Sequence, residues 1–187
     1  ITAIQGFTAI ALKKADPAEF SKLIERIGPL IEVIRQQIEF TKAYEDLGTK
    51  EPAWQQVGKM IAGLQAPPSV TIRDETQNPE IFADLMLEKV FHNLVDNSLR
   101  HGGSVTAIRF GTIRDEKGLT ITYEDNGCGI PPGDKNMIFE RGCGKNTGLG
   151  LFLAREILAI TGISISETGV PGKGARFEIT VPEGRWR

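Results

Sequence analysis

The sequence predicts an α/β fold in which helices cover one face of a single mixed sheet, a two-layer sandwich, with an α-helical hairpin ahead of it. Three observations carry that prediction. Apolar residues recur at steps of three and four through the first 48 positions, as on one face of a helix. From Pro52 onward the pattern changes to short strands alternating with helices. Glycine makes up 21 of 187 residues and is concentrated between Gly102 and Gly174.

In chain order, Ile1, Ile4, Thr8, Ala11 and Ala15 mark a first helix, and Asp16-Pro17 supplies an N-cap followed by proline at the first position of a second. The second carries Phe20, Leu23, Ile27, Leu30, Ile34, Ile38 and Thr41 on one stripe. Gly28-Pro29 is expected to kink it and Gly48 to end it. Residues 1–48 therefore read as a helical hairpin and residues 49–187 as a separate α/β domain. A two-helix hairpin cannot cover its own apolar stripe. A second copy would complete an antiparallel four-helix bundle, making a homodimer; the alternative is packing on the rest of the same chain.

After a linker at 49–52, residues 53–64 read as a helix, 69–74 as a strand and 84–101 as a long amphipathic helix built on Leu87, Val90, Phe91, Leu94, Val95 and Leu99. Strands follow at 105–113 and 119–124, joined by a turn at 115–118. A glycine-rich loop, a helix over 149–161 and a closing hairpin of strands 164–168 and 175–181 complete the chain.

Composition narrows the function. At 40% hydrophobic and 25% charged residues, the chain can bury an ordinary core. Lys plus Arg number 22 against 24 Asp plus Glu, so there is no basic field to draw in nucleic acid or an anionic membrane. Cys128 and Cys143 have neither zinc-site spacing nor the density of a disulfide framework, which favours a reducing, cytoplasmic setting. No apolar run reaches the ~18–20 residues of a membrane span, and the start lacks the basic flank of a signal peptide.

Three segments carry chemistry. Asn93 and Asn97 share a helix face one turn apart, with Arg100 and His101 beyond them; stacked amide oxygens suit a hydrated magnesium ion, and equally suit the solvated face of an amphipathic helix. Asp125-Asn126-Gly127-Cys128-Gly129-Ile130 follows a strand directly. Its glycines allow a sharp turn against a flat ligand, with Asp125 as a buried acceptor for a ring amino group; alone, the motif also fits a strand-ending turn. Lys145-Asn146-Thr147-Gly148-Leu149-Gly150-Leu151 leads into a helix, where Gly148 and Gly150 would present backbone N–H groups at the positive helix end, a phosphate cradle. It has neither the Walker nor the Rossmann spacing, and small residues at a helix start also serve close packing.

In order and spacing, Phe91-His92-Asn93-Leu94-Val95-Asp96-Asn97-Ser98, the Asp125-to-Ile130 loop, Ile138-Phe139-Glu140-Arg141 and Gly148-Leu149-Gly150-Leu151 resemble the N, G1, F and G2 boxes of sensor histidine kinases. These kinases share an ATP-binding superfamily with gyrase, the heat-shock chaperone and the mismatch-repair ATPases. The resemblance covers roughly Pro52 to Pro182 and implies a Bergerat-type ATP-binding domain.

It further implies that Asn97 is the magnesium ligand and that Asn93 stands where the ATPase relatives place a water-activating glutamate, an exchange favouring kinase over hydrolase. Asp125 matches the carboxylate that reads the adenine amino group, and Gly127 and Gly129 the glycines of the same loop. Arg100 and His101 occupy the places of a basic phosphate contact and a ring beside the adenine. Gly148 and Gly150, with Leu149 between them, match the phosphate-side turn, and Gly172-Lys173-Gly174 the last glycine-rich turn. Pro131 to Thr147 corresponds to a short ATP lid, from which Lys145 and Arg141 are candidates to reach phosphate and in which Phe139 would anchor to the core. Ile1 to Phe7 resembles the stretch after a phosphoacceptor histidine, which would lie upstream of Ile1; His92 and His101, the two histidines present, stand in no acceptor motif.

The activity so implied is transfer of the γ-phosphoryl group of Mg²⁺-ATP to that histidine and then to an aspartate of a response-regulator receiver domain. A gyrase-like or mismatch-repair-like ATPase and a non-catalytic, anti-sigma-like nucleotide-binding dimer are the rival readings.

Overall fold

The computed structural model describes residues 17–115, 118–142 and 148–187, which leaves the expected first helix and the centre of the 115–118 turn outside the described residues. The chain divides into two compact units, Ile1–Ala43 and Tyr44–Arg187.

Helix α1 (Pro17–Asp46) begins at the expected proline and runs through Gly28 and Pro29 without interruption. A proline removes one backbone donor, and in so long a helix the remaining bonds carry the segment. Past its end the chain turns at Gly48, whose φ is +67°. Ile24, Ile31 and Ile38 are 51%, 54% and 64% exposed.

The second unit begins with β1 (Ala53–Gln56), α2 (Val57–Gly63), β2 (Thr71–Glu75) and β3 (Glu80–Ala83). Helix α3 (Leu87–His101), β4 (Ala107–Asp115) and β5 (Gly118–Asp125) follow. A single 3₁₀ turn (Met137–Phe139), α4 (Gly150–Ala159), β6 (Ser164–Glu167) and β7 (Arg176–Val181) complete it. The main sheet has the order β2-β4-β5-β7-β6, with β2 parallel to β4 and the other neighbours antiparallel.

The expected helix over 53–64 is corrected: its first four residues are strand. Ala53–Gln56 pair antiparallel with Glu80–Ala83, in the register Ala53 to Ala83. The other edge of β3 is held by the chain end, where Glu80 and Arg187 exchange two backbone bonds of 2.9 Å and the Phe82 N–H donates to the Arg185 carbonyl at 2.8 Å. Both pairings are remote in sequence, so local periodicity carries no trace of them. Helix α3 starts at Leu87 rather than 84 because the Asp84 carboxylate accepts the Met86 N–H at 2.8 Å, a turn ahead of the helix.

Alternation along the strands decides the layering. Ile108, Phe110, Ile121, Tyr123, Phe177 and Ile179 are buried, as are Leu87, Val90, Phe91 and Leu94 of α3 and Ala154, Ile157 and Leu158 of α4. An edge-to-face aromatic series runs across this layer: Phe91 to Phe110 at 5.7 Å, Phe110 to Tyr123 at 5.1 Å, Tyr123 to Phe177 at 6.0 Å and Phe177 to Phe139 at 6.2 Å. The opposite residues are charged. Arg109 pairs with Glu124, Arg176 with Glu124 at 2.6 Å and with Glu178 at 3.0 Å, a ladder that keeps this face in water. The α/β sandwich therefore has the two layers expected. No helix among the described residues is long and apolar enough to cross a membrane.

Candidate nucleotide-binding site

The C-terminal half of α3, the loop after β5 and the turn before β7 meet around Asp125. This residue ends β5 on the strand's buried side and is 8% exposed. Its Oδ1 accepts the Gly127 N–H at 2.9 Å and the Ala175 N–H at 3.0 Å, and its Oδ2 accepts the Ser98 hydroxyl. The Tyr123 hydroxyl lies 2.6 Å from Ser98 Oγ and 3.1 Å from the Leu94 carbonyl oxygen. Burial pushes the Tyr123 phenol well above its ordinary range.

The loops stack backbone on backbone. A Cβ on Gly127 would come within 2.5 Å of the Gly102 carbonyl oxygen, and one on Gly129 (φ +70°) within 2.8 Å of that of Gly174. On Gly174 (φ +109°) it would fall 1.8 Å from the Asp125 carbonyl oxygen. The Gly172 N–H donates to the Cys128 carbonyl at 2.7 Å, closing the stack. The spaces beside these glycines are thus filled by neighbouring main chain, which makes the loop a rigid slab behind Asp125.

On α3, Asn93 and Asn97 are both half-buried. Asn93 Nδ2 donates to the Gly150 carbonyl at 2.9 Å and ties the start of α4 to α3. The Asn97 amide has no hydrogen bond among the described residues and so keeps its oxygen for a ligand. Arg100 pairs with Asp96 at 2.8 Å on the exposed side of the helix. The His101 side chain is exposed, while its carbonyl accepts a weak bond from Cys128 Sγ at 3.4 Å.

Gly148 has a φ of +60°, and Leu149 stands at the N-cap of α4 with no side-chain cap and no acidic residue in the first turn. Among the described residues, the first N–H groups of Leu151 and its neighbours therefore stand at a positive helix end without a side-chain acceptor. Phe139 is 5% exposed against Phe177 and fastens the segment after Pro131 to the core. Arg141 is exposed, and Lys145, Asn146 and Thr147 lie outside the described residues.

A buried acceptor, with an amide oxygen and a helix start that have no side-chain partner among the described residues, could hold the base, metal and phosphates of a magnesium nucleotide. Sequence reasoning missed Ser98, Tyr123 and the Ala175 N–H. One signal was available: Tyr123 lies two residues before Asp125 and so shares its side of the strand. Two surface depressions are of similar size. One, about 460 Å³, takes in Asp125 and the Thr168–Arg176 turn; the other, about 470 Å³, lies over Trp54, Lys59 and Glu80 and holds none of the candidate residues. The first is otherwise lined by Glu124, Arg176 and Glu178 of the charged sheet face and meets the candidate site only at Asp125; neither depression holds Asn93, Asn97 or Gly150.

Residues 83–185, more than half of the chain, match the family described as Histidine kinase-, DNA gyrase B-, and HSP90-like ATPase. The chain belongs to that family. The alginate biosynthesis sensor protein KinB of Pseudomonas aeruginosa is 39% identical over 103 residues, 52% of this chain and 17% of KinB. The signal transduction histidine-protein kinase AtoS of Escherichia coli (strain K12) is 28% identical over 202 residues, 97% of this chain and 32% of AtoS. The chain thus spans about a third or less of these relatives. Histidine kinase ThkA, solved in complex with the response regulator protein TrrA, superposes with a TM-score of 0.66 at 19% identity, over 98% of this chain and 57% of that one, a likeness of fold.

Proposed function

We propose that this chain is the catalytic core of a two-component sensor histidine kinase, which binds Mg²⁺-ATP and passes its γ-phosphoryl group to a histidine and then to a receiver-domain aspartate of a response regulator. The observation that carries this reading is the convergence on α3 of the buried acceptor Asp125, the Asn97 amide and the start of α4, the latter two without a side-chain partner among the described residues. Family membership and the kinase relatives support it.

In this reading Asp125 accepts from the adenine amino group, and the Gly127 to Gly129 slab supports the base beside His101. Asn97 holds the magnesium, and Gly148, Leu149 and Gly150 orient phosphate oxygens, with Arg100 and Lys145 as further cations. When bound, the ion neutralises phosphate charge. Asn93 has no basic oxygen with which to take a proton from water, and its amide already steadies Gly150; both points favour delivery to a protein nucleophile over hydrolysis. Phosphoryl transfer asks chiefly for placement and charge stabilisation, and these residues supply both.

The partner of α1 in this reading is a second copy. Ile24, Ile27, Ile31, Ile34 and Ile38 follow one another at alternating steps of three and four, the repeat of a coiled-coil seam.

Two measurements test the proposal. Saturating Mg²⁺-ATP, at ~100 times its Kd, should stabilise the chain by about 2.7 kcal/mol, and Asn97→Ala should remove that thermal shift while melting alone as wild type does. A form extended upstream to include a histidine should acquire an acid-labile phosphoryl group from ATP. Binding without labelling would leave a nucleotide-binding module and end the kinase reading.

A further inference from the structure

We infer that Ser98 and Tyr123 are specificity-determining positioning residues: together they hold Asp125 as a hydrogen-bond acceptor only, so that the site takes a purine bearing a ring amino group and rejects one bearing a ring carbonyl at the same position. The inference rests on the assignment of Asp125 to the base.

A hydroxyl has a single hydrogen to give. On α3, Ser98 lies four residues after Leu94, and a helical serine ordinarily has that carbonyl as an alternative acceptor. Here the Tyr123 hydroxyl stands against both groups, 3.1 Å from the Leu94 oxygen and 2.6 Å from Ser98 Oγ. Tyr123 is fully buried and its phenol stays protonated, so it gives its one hydrogen either to Leu94 or to Ser98. In neither arrangement can Ser98 donate to Tyr123 without leaving a buried carboxylate oxygen of Asp125 short of a donor, which costs more than any gain. The Ser98 hydrogen is therefore committed to Asp125 Oδ2.

The Gly127 and Ala175 N–H groups complete the set on Oδ1. Among the described residues, three groups bond the carboxylate and all three are donors. A carboxylate so placed has no hydrogen to offer a ring carbonyl, and two acceptors would face each other; a ring amino group meets it directly. The phenol is in turn held by Phe110 and Phe177, with ring centroids 5.1 and 6.0 Å away, so removing only its oxygen leaves the packing intact.

The test is the ratio of affinities for ATP and inosine triphosphate, measured by calorimetry on the whole chain with magnesium. The wild type should prefer ATP. Ser98→Ala should cut that preference by about tenfold, the scale of one hydrogen bond to a charged group, and Tyr123→Phe by a smaller factor. Asp125→Asn should move the ratio toward inosine triphosphate, because an amide can donate. If Asp125→Asn shifts the ratio while Ser98→Ala and Tyr123→Phe leave it unchanged, or weaken both nucleotides equally, the relay is wrong and the Asp125 assignment stands. If Asp125→Asn itself leaves the ratio unchanged, the base-reading role falls and the relay with it.

Discussion

Gly174 shows how tightly single residues are specified around the site. Its φ of +109° is one that side chains avoid, and an added methyl group would fall 1.8 Å from the Asp125 carbonyl oxygen. Gly174→Ala should therefore destabilise the chain by about 2–4 kcal/mol and weaken Mg²⁺-ATP binding, as seen by calorimetry with and without nucleotide. Gly172→Ala, at φ +81° but facing open space, should cost about 1 kcal/mol. The glycines were legible in the sequence as a loop that must turn sharply. Their reason was only partly so: Gly127 gives way to the backbone of Gly102, Gly129 to that of Gly174 and Gly174 to that of Asp125, a requirement set by residues far along the chain.

At the scale of elements, the amphipathic period of α3 and the alternation of β4, β5 and β7 are strong local signals, and each forms near its expected bounds. The failure at 53–64 has a plain cause. Trp54, Gln55 and Gln56 are extended because Glu80 to Ala83 pair with them and the chain end pairs with Glu80 and Phe82 from the other side. Packing of α3 onto the sheet rests on the aromatic series from its Phe91 through Phe110, Tyr123 and Phe177. Phe177 is fully buried and touches the rings of both Tyr123 and Phe139. Phe177→Ala should cost about 3–5 kcal/mol, read as a lowered midpoint in denaturant with an unchanged slope.

For the whole molecule, the charged ladder of Arg109, Glu124, Arg176 and Glu178 gives the sheet a wet outer face, so the second unit stops at two layers. The apolar row on α1 is the opposite case, a surface whose exposure calls for a partner. If that partner is a second copy, wild-type chain should sediment as a dimer at micromolar concentration, and Ile31→Glu combined with Ile38→Glu should yield a folded monomer that still binds Mg²⁺-ATP. A wild-type monomer under those conditions would remove the dimer from the proposal.

By itself the sequence determined the class of fold, the order of the helices and strands from α3 onward, and the segments that converge on the site, because helix and strand periods and glycine-rich turns are written locally. Tertiary structure alone decided the β1 to β3 pairing, the donor set on Asp125 and the route from Tyr123 through Ser98. The Tyr123 to Ser98, Ser98 to Asp125 and Ala175 to Asp125 contacts join groups 25, 27 and 50 positions apart, and only the folded chain brings such partners within hydrogen-bonding reach.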